Sequence, residues 1–321
     1  MPDTRSWGNS MIRESYFSSA GAGLIRVRTW EPEGAPIGIV QIIHGIVEHV
    51  ERYNDFAKYL NQLGYLVVAE DHMGHGKSGG NDCARGYFYG GWFAAVDDSY
   101  RLLRDTMDQY PGLPYVLLGH SMGSFMARTI LAKYPNSGIS GAVLSGTGWM
   151  PEFVLKAGQM ICKMNCKLFD ETQPNEKLQN LAFGTYNARV ERPRTTYDWL
   201  NRDAKEVDAY IADPNCGFVA SGGLMRDMMT GMLYIQKKKT IQDMNKSVPI
   251  YFVAGGDDPV GNYGDGVRKA VAAFKRAGVK DVSCKIYPLC RHEILNEINN
   301  MEVYHDISTW IQKLISSKCP V

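Results

Sequence analysis

The pentapeptide Gly119-His120-Ser121-Met122-Gly123 follows directly on the apolar run Tyr115-Val116-Leu117-Leu118. A Gly-x-Ser-x-Gly segment between a strand and a helix makes a sharp turn that holds the serine hydroxyl above a sheet, open to an electrophile. Glycines flank it because the turn leaves no room for Cβ atoms. Residues 122–133 carry Met122, Phe125, Met126, Ile130 and Leu131 on one helical face, and Tyr134-Pro135 closes the helix. Gly76-Lys77-Ser78-Gly79-Gly80 also fits the pattern, but it follows the polar loop Asp71-His72-Met73-Gly74-His75 and opens no apolar helix. Ser121, not Ser78, is the candidate nucleophile. Nor does that loop make a phosphate-binding motif, since Asp71 stands where a glycine is needed five residues before Gly-Lys-Ser.

An acyl-transfer serine needs a base, an acid to orient it, and donors for the oxyanion. After a turn of this kind the acid and base lie downstream, which leaves His292 and His305. His292 sits in a loop just after a candidate strand, where a base can reach over a sheet. His305 falls in a patterned C-terminal helix and reads as a surface or packing residue. For the acid, Ile250-Tyr251-Phe252-Val253-Ala254-Gly255-Gly256-Asp257-Asp258-Pro259 puts two aspartates at the end of an apolar strand. Pro259 biases Asp258 towards an extended backbone, which does not separate the pair; the other aspartate would cap the loop. The oxyanion donors are the N–H of Met122, after the nucleophile, and that of Ile46, in the loop after an early strand. Gly45 would let that loop turn inward.

The elements that position these residues alternate. Strands are expected at 24–30, 37–43, 65–69, 115–118, 141–144, 249–254 and 282–287, and helices near 51–63, 93–109, 122–133, 263–277 and 301–316. Continuous apolar runs in several strands predict an α/β fold, a mostly parallel sheet covered by helices on both faces. The alternation breaks between about 148 and 245, which holds eight of the fifteen methionines. Residues 1–147 and 246–321 thus form the core, and 148–245 an inserted helical cap. Phe153, Ala157, Met160, Ile161 and Met164 make one apolar face there, and Met225, Met228, Met229 and Met232 another. Such faces bury a helical layer's own core or line a fatty pocket.

A net charge of +1 and a single short lysine run, 237–239, give no basic stripe for nucleic acid. No apolar stretch reaches 18 residues, and residues 1–7 lack the apolar segment of a signal peptide. Seven scattered cysteines without a Cys-x-x-Cys read as thiols in a reducing cytoplasm, not as disulfides or a metal site.

Four segments together resemble the monoacylglycerol lipase and lysophospholipase branch of the α/β-hydrolases. His44-Gly45-Ile46-Val47-Glu48-His49-Val50-Glu51-Arg52-Tyr53 is similar to its His-Gly-x-x-Glu-His-x-x-Arg-Tyr. Asp71-His72-Met73-Gly74-His75-Gly76-Lys77-Ser78 is similar to its Asp-His-x-Gly-His-Gly-x-Ser. The serine turn, and the pair Asp258-Pro259-Val260 with Arg291-His292-Glu293, match its elbow and its acid and base loops. The likeness runs from about residue 37 to the C-terminal helix. It implies Ser121 as nucleophile, Asp258 in preference to Asp257 as acid, His292 as base, and Ile46 and Met122 as oxyanion donors. It also implies that Glu48 and Arg52 lie near the polar end of the pocket, where the family holds glycerol; the other reading is a Glu48–Arg52 pair that fixes the loop. His49, His72 and His75 read as loop packing. The activity implied is hydrolysis of single-chain lipid esters, foremost monoacylglycerol, without metal or organic cofactor. A cap of this kind could touch a membrane surface. Lysophospholipase, short-ester and thioester hydrolysis use the same triad, and Arg192 and Arg194 would serve a phosphate head group if the cap brought them close. A ligand-binding homologue without catalysis is the remaining alternative.

Overall fold

A computed structural model describes residues 14–80 and 83–316; residues 1–7, read above for a signal peptide, and Cys319 lie outside them. Eight strands form one sheet: β1 (Ser15–Phe17), β2 (Leu24–Trp30), β3 (Gly38–Ile43), β4 (Tyr65–Glu70), β5 (Tyr115–His120), β6 (Gly141–Ser145), β7 (Ile250–Gly255) and β8 (Val282–Tyr287). Their order is β1-β2-β4-β3-β5-β6-β7-β8. The pairs β1–β2 and β2–β4 are antiparallel, and the others are parallel. β3 to β7 are buried along their whole length, as their apolar runs require when helices cover both faces.

The helices of the α/β alternation are α1 (Asn54–Gln62), α2 (Gly91–Gln109), α3 (Met122–Lys133), and later α9 (Asp265–Arg276) and α10 (Asn300–Ser316). Between β6 and β7 come α4 (Glu152–Leu168), α5 (Glu176–Phe183), α6 (Ala204–Ala212), α7 (Gly222–Gln236) and α8 (Lys238–Asp243). α10 lays Ile307, Ile311 and Leu314 into the core, with Trp310 stacked on Tyr251 at 5.6 Å. The expected helix at 51–63 is divided: Val50–Tyr53 is a 3-10 turn, and α1 follows it. Asp71 Oδ1 accepts the Val50 N–H at 3.0 Å, taking up a donor that a helix start leaves free. β1 was not expected; three residues carry no readable period. Its end is fixed by Asp98, whose Oδ2 accepts the Ser18 hydroxyl at 2.8 Å and whose carbonyl accepts the Tyr16 hydroxyl at 2.7 Å.

Residues 148–245 have no core of their own on the side facing the sheet. Leu155, Cys162, Met225, Met228 and Met232 belong to one buried cluster with Trp92 of α2 and Phe125 of α3. α7 comes so close that a Cβ on Gly231 would lie 2.1 Å from the Trp92 ring. The outer face of α4 differs from a self-burying layer, because Phe153, Met160 and Met164 are exposed.

Glu70, buried at the end of β4, has a carboxyl pushed up to about 8, chiefly by burial. Ser99 Oγ donates to its Oε1, while Oε2 has no hydrogen-bond partner among the described residues. Its pKa is raised on folding, so between about 4.5 and 8 the folded chain binds more protons than the unfolded one, and stability falls as pH rises. The loss is on the order of 5 kcal/mol when complete. Glu70→Gln removes the titration. Urea unfolding should therefore show the variant gaining on wild type between pH 5 and pH 9; parallel pH profiles would refute the assignment.

Candidate active site

The strand–turn–helix around Ser121 is built by close backbone packing. Gly119 pairs with Ile43 on one side and Leu144 on the other. A Cβ on Gly119 would lie 2.3 Å from the Gly123 carbonyl oxygen, and one on Gly123 would lie 2.0 Å from that of Ile43. Ser121 itself holds φ 53° and ψ −120°, a strained conformation for a residue with a side chain. Its N–H is held by Ser145 O at 2.9 Å. Ser78 does a different job: its hydroxyl donates to Asp71 O at 2.5 Å and accepts the Arg26 N–H at 2.8 Å.

His292 faces the same cavity as Ser121. Its Nδ1 lies 2.9 Å from Asp258 Oδ2, and the other carboxylate oxygen accepts the Val260 N–H at 2.8 Å. Asp258 is buried, whereas Asp257 is exposed, as is His305. Burial alone would lower the His292 pKa, but the Asp258 carboxylate outweighs it and leaves the ring more basic than usual. Trp199 and His120 flank this ring at 5.2 and 4.7 Å. The His120 pKa is driven well down by burial and then by His292. His44, His72 and His75 pack against one another at tilted and edge-on angles and do not line the cavity; burial holds His72 near 3 and His75 near 4 and lowers His44 as well, which keeps the cluster neutral.

Ile46 lines the cavity beside Ser121, and Met122 opens α3 directly beneath it. Among the described residues neither N–H has a main-chain partner, which leaves both able to meet an oxyanion. The loop before Ile46 depends on Glu48, whose Oε1 accepts the Gly45 N–H and, at 2.7 Å, the Tyr53 hydroxyl. A Cβ on Gly45 would strike that oxygen at 2.6 Å. Glu48 also lines the cavity. Arg52 does not: it sits behind the wall, 2.6 Å from Glu293 Oε2 and 3.6 Å from Glu48 Oε2, over the Tyr210 ring.

Two cavities meet at Ser121. One, of about 500 Å³, is the more polar, with Glu48, Gln179, Asn180, Asn187, Tyr197, Tyr210 and Glu293 in its wall beside Ile46, Phe183 and Trp199 and, among the described residues, no lysine or arginine. The other, of about 380 Å³, is lined by Phe153, Ala157, Ile161, Leu178 and the methionines 150, 225, 228, 229 and 232. Ile46, Phe183 and Trp199 border both. Arg192 and Arg194 are exposed in neither wall, and Arg194 is paired with Asp208 at 2.8 Å. The residues that sequence reading missed are Asn187 and Trp199, each in a short 3-10 turn, Tyr210 of α6, and Glu293. Glu293, next to His292, offered the one local signal.

The stretch 198–202 grips the loop that carries His292. Trp199 O accepts the His292 N–H at 3.4 Å, and Leu200 O accepts the Glu293 N–H at 2.8 Å. Arg291 Nη1 donates to Asp198 O at 2.6 Å and Asn201 O at 2.8 Å, and Arg202 Nε meets Glu297 Oε2 at 2.8 Å.

A serine on a strained turn at the end of a central parallel strand, sharing a cavity with a histidine that is hydrogen-bonded to a buried aspartate, defines an α/β-hydrolase. The family profile Hydrolase_4, described as "Serine aminopeptidase, S33", matches residues 34–299. A monoacylglycerol lipase of Mycolicibacterium smegmatis is 30% identical over 308 residues, covering 92% of this chain and 96% of that protein. A monoglyceride lipase of Homo sapiens is 29% identical over 294 residues, 89% of this chain and 86% of its own. Among solved structures, a thermostable carboxyl esterase from Bacillus coagulans in complex with glycerol superposes with a TM-score of 0.85 at 30% identity, covering 94% and 97% of the two chains. The chain belongs to the Hydrolase_4 family of α/β-hydrolases, on the branch that includes the monoacylglycerol lipases.

Proposed function

We propose that this chain hydrolyses the ester bond of monoacylglycerols, with segment 148–245 as the cap that shapes the substrate pocket. The observation that carries this reading is the meeting at Ser121 of a more polar cavity, with no lysine or arginine among the described residues of its wall, and a strongly apolar one. A single-chain acyl glyceride has the same division, with its ester at the boundary. Ser121 Oγ attacks the carbonyl carbon as its proton passes to His292 Nε2. Asp258 fixes the imidazole with its remaining proton on Nδ1 and stabilises the imidazolium. The N–H groups of Ile46 and Met122 bind the oxyanion, each worth about 3 kcal/mol of barrier. The imidazolium protonates the departing glycerol oxygen. Water, deprotonated by His292, then splits the acyl-enzyme. Glu48 acts on two levels, holding the oxyanion loop through Gly45 and presenting a carboxylate to the glycerol hydroxyls; Arg52 acts through Glu48 and Glu293.

Two carboxylates and no cation in the polar wall disfavour a phosphate head group. Fatty-acid release should be measured over a chain-length series of monoacylglycerols and matching lysophospholipids. Long-chain monoacylglycerol should be preferred; equal or faster lysophospholipid turnover would overturn the assignment, and activity confined to short esters would remove the lipid from it.

Phe153, Met160, Met164 and Leu168 form an exposed apolar row on α4, Phe153 and Leu168 being 74% and 73% exposed. Phe153 also lines the apolar cavity, so the row leads into it. This supports transient contact with a lipid surface as the route of substrate entry. Among the described residues no helix is long and apolar enough to cross a membrane. Wild-type protein should sediment with phosphatidylcholine vesicles and Leu168→Glu should do so less; no sedimentation of wild type would end this proposal. The free thiols Cys162, Cys166, Cys216, Cys284 and Cys290 support a cytoplasmic, reducing location.

A further inference from the structure

On the far side of the oxyanion loop, His49, Asp213 and Cys216 bring a nitrogen, an oxygen and a sulfur within 4.8 Å of one another. His49 Nε2 lies 2.8 Å from Asp213 Oδ2. His49 follows β3, three residues after Ile46, whereas Asp213 and Cys216 belong to the turn that ends α6. That turn is already formed: the Cys216 N–H donates to Asp213 O at 3.0 Å, and the Asn215 N–H donates to Asp213 Oδ1 at 2.7 Å. The second carboxylate oxygen is thereby aimed at His49. The turn is also docked, because the Gly217 N–H donates to Val47 O at 2.9 Å.

Access comes from a polar pocket of about 330 Å³ that opens on His49 and Asp213. Its wall adds the carboxylates of Asp55 and Glu206, a field that draws in cations; Glu51 also borders it but is paired with Arg26 at 2.6 Å. Arg52 opposes that field, but its guanidinium is engaged by Glu293 and Glu48. A donor set of one imidazole, one carboxylate and one thiolate suits zinc, with water as fourth ligand; calcium and magnesium require oxygen ligands.

We infer that His49, Asp213 and Cys216 form a binding site for a zinc-class divalent cation, which fastens the α6 turn to the oxyanion loop. On binding, the hydrogen bond from His49 Nε2–H to Asp213 breaks, the neutral ring exchanges protons with solvent so that its one proton sits on Nδ1, and the freed Nε2 lone pair binds the metal. The Cys216 S–H bond breaks as the metal–sulfur bond forms, and one proton passes to solvent. No electron transfer is involved.

The test is titration of the full chain with cobalt(II) chloride, followed by competition with zinc chloride. One equivalent of cobalt should give tetrahedral d–d bands and a thiolate-to-cobalt charge-transfer band, and zinc should bleach both. Cys216→Ser should abolish the charge-transfer band and weaken zinc binding by at least about tenfold. Asp213→Asn, at a half-exposed position, should weaken zinc while keeping the band. Absence of the band in wild type, its persistence in Cys216→Ser, or wild-type zinc affinity in both variants would overturn the site.

Discussion

Ser121→Ala is expected to lower kcat on a long-chain monoacylglycerol by about a millionfold, the scale on which losing a catalytic serine acts. The fold should hardly notice. Alanine keeps the Cβ, so the strain at φ 53° is the same in both proteins. The bonds that hold the turn are unaffected, namely the Ser121 N–H to Ser145 O at 2.9 Å and the Ser124 hydroxyl to Ser121 O at 2.6 Å. Fatty-acid release should vanish together with labelling by a fluorophosphonate, while the unfolding free energy stays within about 0.5 kcal/mol of wild type. Release at a comparable rate would place the nucleophile elsewhere.

Asp258→Asn should cost about ten-thousandfold in kcat for a reason visible in the hydrogen bonding. Asp258 Oδ1 accepts the Val260 N–H, so the asparagine oxygen must take that place and its NH₂ must face His292. An amide donor there selects the tautomer protonated on Nε2, which cannot take the serine proton. The pH profile gives an independent readout. In wild type the carboxylate raises the His292 pKa against burial, so kcat/KM rises with pH as a base more basic than 6.5 loses its proton. Without the carboxylate, burial dominates, and the acid limb moves to lower pH. A loss below about tenfold with an unmoved limb would remove Asp258 from the role.

What could be read from the sequence was whatever strand ends and tight turns impose locally. The apolar run into Gly119 and the apolar face of 122–133 located β5 and α3, because buried parallel strands and packed helices must carry those patterns. The choice between Asp257 and Asp258 was not readable from spacing; it depends on which side chain turns under His292, a tertiary matter. The polar cavity was beyond reach for the same reason. Tyr210 comes from α6 and Trp199 from a short turn, and they converge with Glu48 only when 148–245 folds back over the sheet. Arg52 could be assigned to the neighbourhood but not to the right side of the wall, because Glu293, 241 residues away, decides where its guanidinium points.

The grip of residues 198–202 on the His292 loop bears on how this insertion could be exchanged between relatives. Recombination that replaced all of 148–245 would take away the carbonyls of Asp198, Trp199, Leu200 and Asn201, which hold Arg291, His292 and Glu293 in place. A natural crossover lies just after α5, because Asn187 Oδ1 accepts the Trp199 N–H at 2.8 Å and Asp198 Oδ1 accepts the Thr195 hydroxyl at 2.6 Å. Helices α4 and α5 supply much of the apolar wall, and they could be traded for others without touching the bonds that hold the His292 loop. In this architecture the first half of residues 148–245 is interchangeable, while the second half is inherited with the loop that carries His292.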